Sequence, residues 1–149
     1  MSLVETLGLQ AHPEGGWFAE TWRAPVEVSP AGYPGPRAAA TAITFLLQAG
    51  EESRWHRVRS DELWLWQGLG PLRLRLGGSG PAPQLTVPAN RRTTKELVGE
   101  LEIGPAPDHP LQGLVPAGVW QAAVPLTDAG ALVACVVAPG FAYEDFELA

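Results

Sequence analysis

Apolar residues recur along this chain in short pieces, many alternating with polar ones, and glycine or proline closes each piece within strand length. In Trp17–Arg23 the alternation sets Phe18, Glu20 and Trp22 on one face and Trp17, Ala19 and Thr21 on the other, the period of a strand. Residues 39–48 carry Thr41, Ile43, Thr44 and Phe45, which suit a largely buried strand. Residues 54–58 and 62–67 follow, parted by the polar break Arg59-Ser60-Asp61, which predicts two neighbouring strands joined by a tight or irregular connection. Leu72, Leu74 and Leu76 alternate with Arg73 and Arg75, and further short strands are predicted over 84–87, 111–115, 120–125 and 132–137. Residues 93–103 fit a helix turn and irregular β structure equally well. A helix is predicted only at the N-terminus, capped by Ser2, running to Leu7 and ended by Gly8. The expected class is all-β, a barrel or sandwich in which the Pro/Gly-rich stretches 77–83 and 104–110 are surface connections.

A length of 149 residues with 46% hydrophobic content supplies one core, so a single domain over residues 1–149 is expected. Sixteen acidic against ten basic residues leave a formal charge of -6, which argues against a general nucleic-acid binder, because neutralising phosphates needs a surplus of Lys and Arg. The single cysteine, Cys135, lies in an apolar run, which excludes an internal disulfide and reads as a buried thiol. No stretch has the roughly 18 uninterrupted apolar residues of a membrane span, and the N-terminus lacks a basic, then apolar, leader pattern. A soluble cytoplasmic protein with a small-molecule partner is the expectation.

Candidate chemistry centres on histidine, which occurs only at positions 12, 56 and 109. His56 alone falls in a predicted strand, and parity sets Arg54, His56 and Val58 on one side. If the break at 59–61 preserves facing, Glu62, Trp64 and Trp66 continue that side on the next strand, and a histidine faces a carboxylate. A turn at Pro116 and Gly118 precedes a strand that points Gln121 toward the same interior. By parity Trp22, Trp64 and Trp66, with Glu20, have a better claim to line a cavity than Trp17 or Trp55. The alternative for His56 is an interior histidine hydrogen-bonded to Glu62, and core packing is the default for the tryptophans. His12 and Glu14 suit a turn or a protomer contact with no direct catalytic role, and His109 is expected to be a solvated loop residue.

In order and spacing, His56, Glu62, Gly68, Gly113, Pro116, Gly118 and Gln121 resemble degenerate versions of the two cupin motifs. The chain is also similar to the cupin branch labelled predicted sugar epimerases. Four segments carry that likeness: His12-Pro13-Glu14-Gly15-Gly16-Trp17-Phe18, Ser60-Asp61-Glu62-Leu63-Trp64, Val115-Pro116-Ala117-Gly118-Val119-Trp120-Gln121, and Pro139-Gly140-Phe141 with Glu144-Asp145-Phe146. The resemblance implies a cupin double-stranded β-helix, or jelly-roll barrel, with a short N-terminal helix. Metal cupins offer two histidines and a glutamate in the first motif and a third histidine in the second. Here Val58 and Gln121 stand at two of those histidine positions, so no cofactor is firmly expected, and a divalent metal would rest weakly on His56, Glu62 and Gln121.

The function so implied is a metal-independent epimerase or isomerase acting on a sugar or nucleotide-sugar, with His56 as general base and Glu62 or Tyr143 as acid. Glu20, Trp22, Trp64, Trp66, Gln121 and Phe141 would contact the ligand. The alternatives are a non-catalytic small-molecule-binding cupin and a weakly metal-dependent enzyme. Small barrels of this class commonly pair, so a homodimer is expected.

Overall fold

The structure, a computed structural model, describes residues 1–85 and 97–149. The frequent glycines and prolines do divide the chain into strands. After helix α1 (Leu3–Thr6) come β1 (Gln10–Ala11), β2 (Trp17–Arg23), β3 (Glu27–Val28), β4 (Arg37–Ala38), β5 (Thr41–Leu47), β6 (Ser53–Arg57) and β7 (Asp61–Leu69). These are followed by β8 (Leu72–Gly77), β9 (Val98–Ile103), β10 (Gln112–Val115), β11 (Gln121–Pro125), β12 (Ala131–Ala138), a single 3-10 turn (Tyr143–Asp145) and β13 (Glu147–Leu148). Helix α1 forms where Ser2 predicts it. The Ser2 hydroxyl accepts the Glu5 backbone N–H, and the Glu5 carboxylate accepts that of Ser2, a reciprocal cap on two orphan donors.

Two antiparallel sheets make the jelly roll, one ordered β1-β2-β5-β12-β7-β10 and the other β13-β6-β11-β8-β9. Among the described residues they remain two open sheets and do not close into one hydrogen-bonded barrel. The register builds the core in rows. Phe45 lies opposite Val133, Ile43 opposite Cys135, and Cys135 in turn opposite Trp64. With Leu72, Leu74, Ile103, Val115 and Val119 these inward side chains form one apolar cluster. Each large one, fully buried, contributes roughly 1.5–3 kcal/mol of hydrophobic stabilisation. The next row toward one end of the sheet joins Thr41, Val137 and Glu62, and there the apolar filling gives way to a cavity.

Three register shifts interrupt period-two alternation, and two of them correct the expected faces. The β2–β5 register shifts between Glu20 and Trp22, so one extra residue reverses parity. Phe18 and Glu20 face the cavity as expected, Arg23 joins them, and Trp22 turns outward, 49% exposed. A shift between β6 and β11 leaves both Ser53 and His56 buried while Arg54, expected beside His56, is exposed. A third shift, between β12 and β7, falls beyond Trp66 and leaves Glu62 and Trp64 on the inward face. The ambiguous segment resolves into β9 over Val98–Ile103; residues 93–96 lie outside the described residues. Of the strand expected over 84–87, Gln84 and Leu85 are irregular and the rest lies outside the described residues.

Candidate functional site

A cavity of about 270 Å³ opens at the Glu62 end of the sandwich. Its walls are apolar, with Phe18, Ile43, Val58, Val137, Phe141 and Phe146, while its polar groups come from His12, Glu14, His56 and Glu62 inside and from Glu20, Arg23 and Tyr143 nearer solvent. A few convergent polar groups in an apolar hollow are the signature of a small-molecule site. Closing one side is the segment after β12, where Phe141, Tyr143 and Phe146 pack edge to face on one another.

The turn before β2 delivers two of the polar groups. The His12 N–H donates to the Gly16 carbonyl and the Gly15 N–H to that of His12. Gly15 and Gly16 take φ of +108° and +75°, in the region where a side chain is strained. The turn sends Glu14 inward, where Oε2 lies 2.8 Å from His56 Nε2, both side chains buried. On the other side of the ring, Nδ1 lies 2.7 Å from the Arg54 carbonyl oxygen, which can only accept, so Nδ1 carries a proton. Burial opposes charge on both partners, but their attraction and shared hydrogen bond outweigh it, holding Glu14 below and His56 above their ordinary ranges. The pair is an imidazolium against a carboxylate, and the His56 ring has no free lone pair.

Glu62, from β7, is held from behind. The Trp64 indole N–H, which is donor only, donates to Gln121 Oε1 at 2.9 Å, and this fixes the amide orientation. Gln121 therefore turns its NH2 toward Glu62 and donates to Oε1 at 2.8 Å. Burial and the nearby Glu14 carboxylate push the Glu62 carboxyl up to about 7, with His56 and Gln121 opposing. The Cys135 thiol beside it is pushed well above its ordinary value by burial and by the Glu62 and Glu14 carboxylates, and stays protonated.

His56, Glu62, Tyr143, Glu20 and Phe141 thus all line one cavity. Four other expected contacts do not. Trp22 faces out because of the bulge, and Trp64 is a core residue, 1% exposed. Trp66 packs against the core with its indole N–H donated to the Gly70 carbonyl, and Gln121 is sealed behind Glu62. Conversely, His12 and Glu14, read from the sequence as turn residues, line the cavity, and His56 pairs with Glu14 and not with Glu62. The signal that marks them was their place in a His-Pro-Glu-Gly-Gly segment, whose two glycines permit the left-handed turn. His109 is partly buried near Glu102, at 3.7 Å, and away from the cavity.

A divalent metal on His56, Glu62 and Gln121 does not fit these side chains. His56 has no lone pair to give, and Gln121 presents its NH2 with its oxygen turned to Trp64. Only the Glu62 carboxylate is left of the three, too few donors for any divalent ion and without the nitrogen or sulfur that a transition metal such as zinc takes. Among the described residues no group of three His, Cys, Asp or Glu side chains is arranged for an ion.

Comparison with known structures agrees with this architecture. A hypothetical protein from Leishmania major is 31% identical, with a TM-score of 0.80 over 97% of this chain and 83% of that one. A Shewanella oneidensis protein is 28% identical, with a TM-score of 0.77 over 98% and 81% of the two chains. An L-ribose isomerase variant from Acinetobacter, in complex with L-ribose, shares the fold at 12% identity and a TM-score of 0.53, over 83% of this chain and 58% of that one. No curated protein matches the chain. The family described as Cupin superfamily (DUF985) matches all of residues 1–149, and the chain belongs to it.

Proposed function

We propose that the cavity binds an uncharged, carbohydrate-like carbonyl compound and that Glu62 moves a proton at the carbon beside the carbonyl, as in an isomerase or epimerase. The observation that carries this reading is a buried carboxyl at the cavity wall, pushed up to about 7 and steadied by Gln121. A general acid or base works best when its pKa lies near the working pH, because both forms are then available. The general base expected at His56 passes to Glu62, since both His56 nitrogens are engaged as donors and the ring is already protonated.

Size and charge narrow the ligand. About 270 Å³ lies just under the roughly 300–1,000 Å³ of sites for drug-sized molecules, so a monosaccharide fits and the nucleotide arm of a nucleotide-sugar would lie outside. Among the described residues the cationic groups at the cavity are His56, paired with Glu14, and Arg23, whose Nε lies 2.8 Å from Glu20. With both neutralised, and Glu62 a further source of negative charge, a phosphate finds no free counter-charge among the described residues. Likeness to an L-ribose isomerase supports the fold alone and is compatible with a sugar ligand.

The test is proton exchange in heavy water, followed by proton NMR, with neutral aldoses and ketoses and with sugar phosphates and nucleotide-sugars as parallel arms. Wild type is expected to incorporate deuterium beside the carbonyl of a neutral sugar, and Glu62→Gln to lose this by at least about 100-fold, the lower end of what a positioned acid or base supplies. Binding with no exchange in wild type would leave a non-catalytic binding protein and overturn the enzymatic reading.

A further inference from the structure

At the cavity wall, the tautomer of His12 is fixed by the backbone. Its Nδ1 accepts the Glu14 N–H at 3.1 Å, which requires Nδ1 to be unprotonated and puts the ring proton on Nε2. The ring is wedged edge to face between Phe18, at 4.6 Å, and Phe45 and Phe146, each at 5.9 Å, so it cannot turn freely. Its side chain is only 7% exposed, yet it lines the cavity, and its Nε2–H has no partner among the described residues. An unpartnered donor at the wall of a largely apolar cavity is placed to give its proton to an acceptor on the ligand.

We propose that His12 is a catalytic residue, its Nε2–H holding the substrate's carbonyl oxygen while Glu62 carries a proton between the two adjacent carbons of an α-hydroxy aldehyde or ketone. This rests on the proton-transfer reading of the cavity and specifies its chemistry. The Glu62 carboxylate removes the hydrogen from the hydroxyl-bearing carbon as a proton. The C–H electron pair becomes a C=C bond, and the carbonyl π pair moves onto oxygen, where the negative charge develops against His12 Nε2–H. Glu62, now protonated, returns that proton to the former carbonyl carbon, and the hydroxyl proton crosses from one oxygen to the other. Substrate and product are isomers, and no oxidant, reductant or metal enters the balance.

A neutral imidazole suits the task, because a donor that stays neutral does not draw the proton of Glu62 to itself; a carboxylate base with a neutral histidine donor is a known solution for this type of enolisation. Burial keeps the His12 imidazole below its ordinary range, with His56 adding to the effect and Glu14 opposing it. The reaction is a shift between neighbouring carbons and not an inversion at one, because inversion needs a second proton carrier on the opposite face and none is free among the described residues. Glu14 is committed to His56 and Glu20 to Arg23, the Cys135 thiol is held protonated, and Tyr143 is 56% exposed at the mouth.

The experiment compares wild type, His12→Phe and His12→Gln in heavy water with D-glyceraldehyde, D-ribose, D-xylose and D-glucose, and reads the imidazole tautomer by NMR of the ring nitrogens. Phe preserves the aromatic packing without the donor, Gln restores both an acceptor and a donor, and thermal unfolding reports whether each variant folds. His12→Phe is expected to slow exchange by about 100- to 1,000-fold, the usual effect of removing one such donor, and His12→Gln to recover part of it. Exchange at the wild-type rate in a folded His12→Phe overturns the role of His12 and leaves that of Glu62 standing. A proton found on His12 Nδ1 in place of Nε2 overturns it independently of activity. Wild type inert toward every sugar overturns the proton-transfer reading, and this step with it.

Discussion

At the scale of single residues, the group with the largest consequence outside catalysis is Glu62. Its carboxyl titrates at about 7 in the folded chain against 4.5 for the ordinary group, because burial and Glu14 disfavour its charge. Below pH 4.5 both folded and unfolded states hold the proton and the group is neutral to stability. As pH rises the unfolded chain ionises first, so the folded state loses ground until about pH 7, by at most about 3 kcal/mol. Glu62→Gln removes this titration and leaves an acceptor for Gln121. Its unfolding free energy relative to wild type is therefore expected to rise between pH 5 and 7, as measured by urea denaturation across that range. His56, raised by Glu14 and less by Glu62, also favours the folded state less as pH climbs past its folded pKa; the share due to Glu14 is common to both proteins, and the share due to Glu62 is the same attraction that already lowers the Glu62 carboxyl. A constant difference between the two would mean that Glu62 titrates normally.

Elements decide which of these residues meet, and here the sequence was legible up to each bulge. Strict alternation ran correctly from Glu62 to Trp64 in β7, and the fold class followed from the spacing of glycine and proline. It failed at Trp22 and at Arg54 because one inserted residue reverses every side chain beyond it, and nothing local in Thr21 or Trp55 marks the insertion. The depth of a side chain was equally hidden. Trp64 and Gln121 point inward as parity requires, but whether they touch the hollow or the core behind it depends on the opposite sheet. Turns hid the most. Glu14 reaches His56 only because the chain doubles back through Gly15, where an added Cβ would stand 2.2 Å from the Glu52 carbonyl oxygen. Gly15→Ala therefore carries both a strained φ and a backbone clash, and is expected to cost about 1 to 3 kcal/mol or more in urea unfolding. Gly50→Ala, also at positive φ but with open space around it, separates the two causes and is expected to cost less. Equal losses would show that the clash at Glu52 relaxes freely.

Across the whole molecule, the two ends of the sequence are brought to one place, and a buried ion pair fastens the later one. The segment after β12 supplies Phe141, Tyr143 and Phe146 to the cavity, then pairs β13 with β6, so that Leu148 lies opposite His56. Between them Asp145, 3% exposed, takes the guanidinium of Arg37, which is itself buried, and that of Arg59 at 3.1 Å, while Glu144 lies 3.6 Å from Arg37. Tyr33 stacks under both arginines. Removing one member of a buried pair leaves the other charge without compensation, whereas removing a partly exposed member lets water take its place. Asp145→Asn keeps the shape and loses the charge, and is expected to cost about 3 kcal/mol. Arg59→Ala, whose side chain is 44% exposed, is expected to cost less than about 1 kcal/mol. The asymmetry also bears on the cavity, because Asp145 stands between Tyr143 and Phe146 in sequence and anchors the wall they form. Amide hydrogen exchange on Asp145→Asn is expected to show faster exchange from residue 141 to the C-terminus, with the core strands β5, β7 and β12 unchanged. Uniform acceleration throughout the chain would instead mean that Arg37 and Asp145 stabilise the fold as a whole and do not fasten this wall in particular.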